Sequence, residues 1–343
     1  MTITFKYTHS PVHTRGSARL LVPNNNNNND DDDDDTSEDI HTSNERSRKP
    51  LIICFHGSGE TCSPSWDALA TKLVTELRCR VLLYDRGPGN QQPADVAAQV
   101  WEYVTRTSDQ KKTEVEMQHQ NPRDECGVTH KNRKHHDLDG PYLLIAHSYG
   151  GAFARAFVQH ESIISRRPWP WQREEESGGD CQIFGLVLVE TGQEGGLDAA
   201  LDERQIREVV MGTRPVCVIR GNSLLHKWKG LEEKARAVGG VDGDDMATTQ
   251  TMRQMLVAER EVLEHIDAED ERLKRRQLGL SRTSRLVHLR DCGHHIVRDR
   301  PGDIVDAVWW VLESADRVED DEGGMNAWKG TLEKLRRFGL WRW

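Results

Sequence analysis

The run Pro141 to Arg155, PYLLIAHSYGGAFAR, constrains this chain more than any other stretch. Tyr142 to Ala146 is short and wholly apolar, the pattern of a strand buried on both faces. It breaks at Ser148 into small residues that begin a helix. Strand, sharp turn and helix therefore follow one another within a few residues, and one serine is lifted out of the backbone. Strand and helix pass close together at such a turn, which calls for small residues two before and two after the serine. Ala146 and Gly150 meet that need, with alanine where a glycine is usual. A buried strand can also simply end in a Gly-rich turn that contains a serine, so the reading depends on the rest of the chain.

A length of 343 residues accommodates one large or two ordinary domains. Several stretches offer nothing to a core, which favours one domain with insertions. The net charge of −10 rests partly on the single run Asp30 to Asp35. Basic residues are spread out and no recognition module is present, so a nucleic-acid partner is not expected. The seven cysteines are scattered and odd in number, as suits thiols in a reducing compartment and not a disulfide framework. The opening MTITFKYTHSPVH lacks the basic start and apolar core of a secretory signal. No apolar run approaches the ~20 residues that cross a bilayer. The expectation is a cytoplasmic protein.

Along the chain, Thr2 to Tyr7 and Ala18 to Val22 read as an opening antiparallel hairpin. Asn24 to Asp35 has no apolar surface to bury, so a disordered loop is expected to about Lys49. Leu51 to Phe55 is a buried strand that runs into His56-Gly57-Ser58-Gly59, a turn whose backbone N–H groups can point at an anion. Ser65 to Leu77 is helical, Val81 to Tyr84 is a strand ending in DRGPG, and Ala94 to Val104 is helical. Thr107 to Asp139 loses periodicity and reads as a surface insertion. Its histidines His130, His135 and His136 lack metal-ligand spacing and sit among Lys131, Arg133 and Lys134.

Ile183 to Val189 is another buried strand, stopping at Glu190. Asp202 to Met211 is a short helix, and Pro215 to Ile219 is a strand followed by Arg220-Gly221-Asn222. Leu224 to Gln277 is helical, with Met252, Met255, Leu256, Ala258, Val262 and Ile266 in a stripe read as packing. Arg285 to Leu289 is a strand, Asp291 to His295 a turn, and Gly302 to Leu312 a helix. Strands alternating with helices indicate an α/β fold with a mainly parallel sheet.

With HGSG, DRGPG, AHSYGG, LVLVE and DCGHH in this order, the chain resembles the α/β-hydrolase superfamily, esterase-like members in particular, from about Leu51 to Leu312. The resemblance implies a mostly parallel sheet of about eight strands flanked by helices, with a helical segment between the last two strands. Together with the hairpin read at 1–23 and the disordered Asn/Asp-rich insertion at 24–49, it implies a catalytic domain at 50–315. Within that domain 105–139 is a surface insertion and 223–280 a helical insertion or lid; 316–343 is an amphipathic extension.

By the same resemblance Ser148 corresponds to the nucleophile and His294 to the general base, with His295 the neighbouring alternative. The backbone N–H groups of Ser58 and Tyr149 correspond to the oxyanion hole. Most relatives carry an Asp just after the seventh strand, where this chain has Asn222. Glu190, ending the sixth strand, is therefore the favoured acid, ahead of Asp242, Asp244 and Asp245. The implied function is a serine hydrolase acting on a small-molecule ester or thioester, with no cofactor and no metal. The alternatives are a non-catalytic binding protein of the same fold, or a C–C hydrolase or acyltransferase. The C-terminal segment, with Trp328, Leu332, Leu335 and Phe338 at helical spacing, is read as packing on the domain or on a second subunit in preference to a membrane surface. Substrate identity and oligomeric state stay open.

Overall fold

The computed structural model describes residues 2–5, 17–23, 50–87, 91–105, 138, 140–164, 183–192, 196–239 and 246–321. The Asn24 to Asp35 tract, His130, His135, His136, Asp242, Asp244, Asp245 and the C-terminal aromatic segment lie outside these residues.

Eight strands form one sheet: β1 (Thr2–Phe5), β2 (Ser17–Leu21), β3 (Leu51–Phe55), β4 (Arg80–Asp85), β5 (Tyr142–His147), β6 (Ile183–Val189), β7 (Val216–Arg220) and β8 (Ser284–His288). Their spatial order is β1-β2-β4-β3-β5-β6-β7-β8. β1 and β2 form the expected antiparallel hairpin, with Ile3 opposite Leu20, and β2 runs antiparallel to β4. From β4 to β8 every pairing is parallel. The continuous apolar runs have their cause here, since LIICF, YLLIAH and VCVIR are buried at every position between layers of helices.

The helices are α1 (Asp67–Thr75), α2 (Pro93–Thr105), α3 (Gly150–Ile164), α4 (Ala199–Arg207), α5 (Leu225–Gly239), α6 (Met246–Gln277), α7 (Ile296–Asp299) and α8 (Pro301–Asp321). One core layer packs Val96, Val100, Phe153 and Phe157 of α2 and α3 against Leu51, Ile53, Phe55 and Leu144. The other packs Trp66, Leu69 and Leu73 of α1 with Ile304, Val308 and Val311 of α8 against Ile52, Cys54, Leu143 and Ile145. Successive strand residues thus alternate between the two layers, as the pleat requires.

The helical segment expected after β7 is described as two helices, Leu225–Gly239 and Met246–Gln277. One expectation, the packing of the α6 stripe, needs correction. The apolar stripe on α6 does not pack against the domain: Met252, Met255, Val262 and Ile266 are exposed, and Leu263 is the buried apolar residue of that stretch. The helix reaches the domain instead through its last turns, where Asp270, Lys274 and Gln277 are buried. Periodicity identified the helix, but polar contacts set which face it presents.

Candidate active site

The carboxyl ends of β3, β5 and β6 and the turn after β8 meet at one place. Ser148 follows β5 with φ +53°, and Glu190 follows β6 with φ +51°. These are left-handed backbone conformations that residues with a Cβ seldom adopt. Only four non-glycine residues among those described have positive φ, and two of them stand side by side here. Both are held by the sheet itself, since Ser148 N–H donates to the Val189 carbonyl (3.0 Å) and Glu190 N–H to that of Ile219 (2.8 Å). The chain then enters α3 directly, Gly151 N–H closing back on the Ser148 carbonyl at 3.0 Å. Gly150 is required, for a Cβ there would lie 2.1 Å from the Phe55 carbonyl oxygen. That approach explains the need for a small residue two after the serine.

The HGSG turn lies against the serine. A Cβ built on Gly57 would sit 3.0 Å from Ser148 Cβ and 3.4 Å from Ser148 Oγ. His56 braces this turn: Nδ1–H donates to the Gly57 carbonyl (2.9 Å), and Nε2 accepts the Arg86 backbone N–H (3.3 Å). Burial and then the Arg86 charge lower the His56 pKa, which suits a neutral ring with one donor and one acceptor. The Arg86 guanidinium also donates to the Gly57 carbonyl and lies 4.1 Å from the centre of the Phe153 ring. Ser58 is exposed in this turn, and Tyr149 is half-buried just before α3.

His294 Nδ1 faces Glu190 Oε2 at 3.3 Å. The Glu190 carboxylate is fully buried, accepting from Gly221 N–H on Oε1 (2.6 Å) and from Ser223 Oγ–H on Oε2 (2.6 Å). Lys274 Nζ stands 3.5 Å from Oε1. Burial acts to raise this carboxyl's pKa, but the hydrogen bond to His294, the Lys274 charge, Ser223 and Gly221 together outweigh it and hold it at about 2. An ionised carboxylate behind the imidazole leaves Nε2 to accept a proton.

Asn222, where an Asp was looked for, is engaged elsewhere: its Nδ2 donates to the Arg290 carbonyl (3.4 Å) and its Oδ1 accepts from Leu224 N–H (3.2 Å). His295 also has a carboxylate, Glu60 Oε1, at 3.3 Å. That pair is more exposed than the His294–Glu190 pair, with side-chain exposures of 51% and 21% against 32% and 0%. The ring of His294 is also nearer the elbow, 4.9 Å from His147 against 6.4 Å for His295. His288, in β8, lies 3.3 Å from Arg220 and belongs to the ion pairs behind the site.

The sequence profile of the alpha/beta hydrolase family matches residues 52–307. The chain belongs to that family. Among curated proteins none matches it at a significant level. Solved structures that it is similar to include Est1E from Butyrivibrio proteoclasticus, at 12% identity, 88% of this chain, 94% of that chain and a TM-score of 0.41. A predicted CIB-like hydrolase from Thermoplasma acidophilum gives 12%, 87%, 92% and 0.40. A thermophilic esterase from Thermogutta terrifontis gives 12%, 92%, 99% and 0.39.

Three groups of this alpha/beta hydrolase escaped the sequence. Glu60 joins three segments of the candidate site: it sits in the turn after β3, meets His147 Nδ1 at 3.3 Å and reaches His295. The hydrogen bond from His147 is the main reason its pKa falls to about 2, against the opposing effect of burial. His147 in turn reaches the His294 carbonyl through Nε2 at 2.9 Å, tying the elbow to the turn after β8. Lys274 was invisible because it is one of many charges on a long polar helix. Arg86 lies inside the DRGPG motif, which carries no signal of what the guanidinium touches.

Beside Ser148 opens a cavity of about 220 Å³, bordered by Tyr149, Thr191, Gln277, Arg155 and Arg276. The two arginines share Asp202, Arg155 through Oδ1 at 2.5 Å and Arg276 through Oδ2 at 2.9 Å. Part of the lining is therefore polar and charge-paired, beside the apolar Leu197, Ile206 and Leu273. Among the described residues no cluster of His, Cys, Asp or Glu could hold a metal ion, and no described helix is long and apolar enough to cross a membrane.

Proposed function

We propose that this alpha/beta hydrolase cleaves a carboxylic ester or thioester through an acyl-enzyme, with Ser148 as nucleophile, His294 as general base and Glu190 as acid. The observation that supports the reading best is the His294–Glu190 contact, because the carboxylate is buried, ionised and held by named donors on both oxygens. Ser148 Oγ attacks the carbonyl carbon while His294 Nε2 takes its proton. Glu190 offsets the imidazolium charge as it forms. The N–H groups of Ser58 and Tyr149 stabilise the tetrahedral oxyanion, and both are backbone donors, so their aim is set before reaction. His294 then returns the proton to the leaving alcohol or thiol, and a water activated the same way releases the acid.

Residues 50–315 are the catalytic domain in this reading. The last turns of the 223–280 insertion border the cavity through Leu273, Arg276 and Gln277. A cavity of about 220 Å³ lined in part by the Arg155–Asp202–Arg276 group suits a short acyl group. Hydrolysis of p-nitrophenyl esters by the wild type and by Ser148→Ala tests the proposal: turnover is expected from the first and none above background from the second. Equal rates would contradict it.

A further inference from the structure

We propose that Lys274, on α6, is a positioning residue for the acid: its contact with Oε1 of Glu190 keeps Oε2 turned towards His294. The inference rests on the reading of Ser148, His294 and Glu190 given above. A glutamate has one more rotatable bond than the aspartate usual after β7, and its terminal torsion is broad and roughly two-fold. Its two oxygens exchange places unless each is given a different partner. Here they are. Gly221 N–H and Lys274 Nζ take Oε1, at 2.6 and 3.5 Å, while Ser223 takes Oε2 at 2.6 Å beside His294.

Lys274 is fully buried, and a buried ammonium needs further compensation. Asp270 supplies it through an ion pair with Lys274 Nζ, and accepts from Arg220 Nε on its other oxygen at 2.9 Å. Arg220, at the end of β7, also reaches Asp267 Oδ1 (2.5 Å) and Glu271 Oε2 (3.2 Å). Glu190, Lys274, Asp270 and Arg220 thus form a chain of alternating charge, none more than 6% exposed. The helical insertion thereby supports an acid placed on β6, where the shorter route from β7 is not used.

Removal of Lys274 alone would leave Asp270 with Arg220 as its remaining partner and one oxygen without its ion pair, so the test uses Lys274→Met/Asp270→Asn, with Lys274→Gln beside it as a variant that loses the charge but keeps a donor. Each is made in the wild-type and Glu190→Gln backgrounds. kcat and KM are measured on an ester that the wild type hydrolyses, per site titrated with a fluorophosphonate. In the wild-type background kcat should fall about tenfold to a hundredfold, less than the ~10⁴ seen when an orienting carboxylate is lost, with KM changed by less than about twofold. In the Glu190→Gln background the same changes should alter kcat by less than about twofold, since the group through which Lys274 acts is gone. Equal losses in both backgrounds, or unchanged kcat in the first, would overturn the role of Lys274 while leaving the triad intact. A wild type that neither labels nor hydrolyses esters would overturn the triad reading, and this proposal with it.

Discussion

Ser148 and Glu190, the proposed nucleophile and acid, each hold a left-handed backbone at the end of a strand. Glu190→Gln keeps the shape and one acceptor oxygen but turns the other oxygen into an amide donor and removes the charge opposite the imidazolium. Turnover should fall by ~10²–10⁴ with little change in KM, measured by steady-state kinetics. Stability should respond to pH in a defined direction. The folded Glu190 carboxyl is depressed from 4.5 to about 2, so its contribution is present above the unfolded value and is lost as pH falls through the folded one. The stability gap between wild type and Glu190→Gln should therefore be largest near neutral pH and close between about 4.5 and 2, as denaturant melts at each pH would report. A gap independent of pH would contradict the depressed carboxyl. The sequence pointed to Ser148 through a motif in which Gly150 is sterically required, and to His294 through the resemblance of its DCGHH turn alone. Glu190 was legible only indirectly, through Asn222 standing where an aspartate was expected. Glu60 and Lys274 were not legible, since their partners lie 87 and 84 residues away in sequence and only the fold brings them together.

At the scale of elements, the site depends on two close approaches. The first is α3 against β3. Gly150→Ala would drive a methyl group into the Phe55 carbonyl oxygen, a backbone atom that cannot rotate aside. A loss of about 1–3 kcal/mol is expected, with activity lost as the elbow shifts; thermal melts and ester turnover measure the two. The second is α6 against β7, made by polar groups. Arg220→Met leaves Asp270 facing Lys274 alone and removes the anchor for Asp267 and Glu271. Breaking a buried ion pair from one side costs about 3–5 kcal/mol, and the midpoint of urea unfolding should fall accordingly. Strands were legible as apolar runs because both faces of the sheet are covered. The orientation of α6 was not, because Met252, Met255, Val262 and Ile266 face solvent while Asp270 and Lys274 are buried, the reverse of what hydrophobic periodicity implies.

Over the whole molecule, the parallel sheet sets the carboxyl ends of β3, β5 and β6 side by side, and the turn after β8 folds over them. Alternation of strands and helices made this architecture legible from the sequence. The cavity was not, because its walls come from α3, α4 and α6 together. Its size and its polar Arg155–Asp202–Arg276 wall imply that acetate and butyrate esters turn over faster than palmitate esters, which a graded acyl panel checks. The most direct measurement is mass spectrometry of the protein after reaction with a fluorophosphonate. One adduct per chain is predicted, on the peptide bearing Ser148, absent from Ser148→Ala and strongly slowed in His294→Ala. A wild type that takes no adduct, or an adduct that persists in Ser148→Ala, would contradict the assignment of Ser148 as the nucleophile.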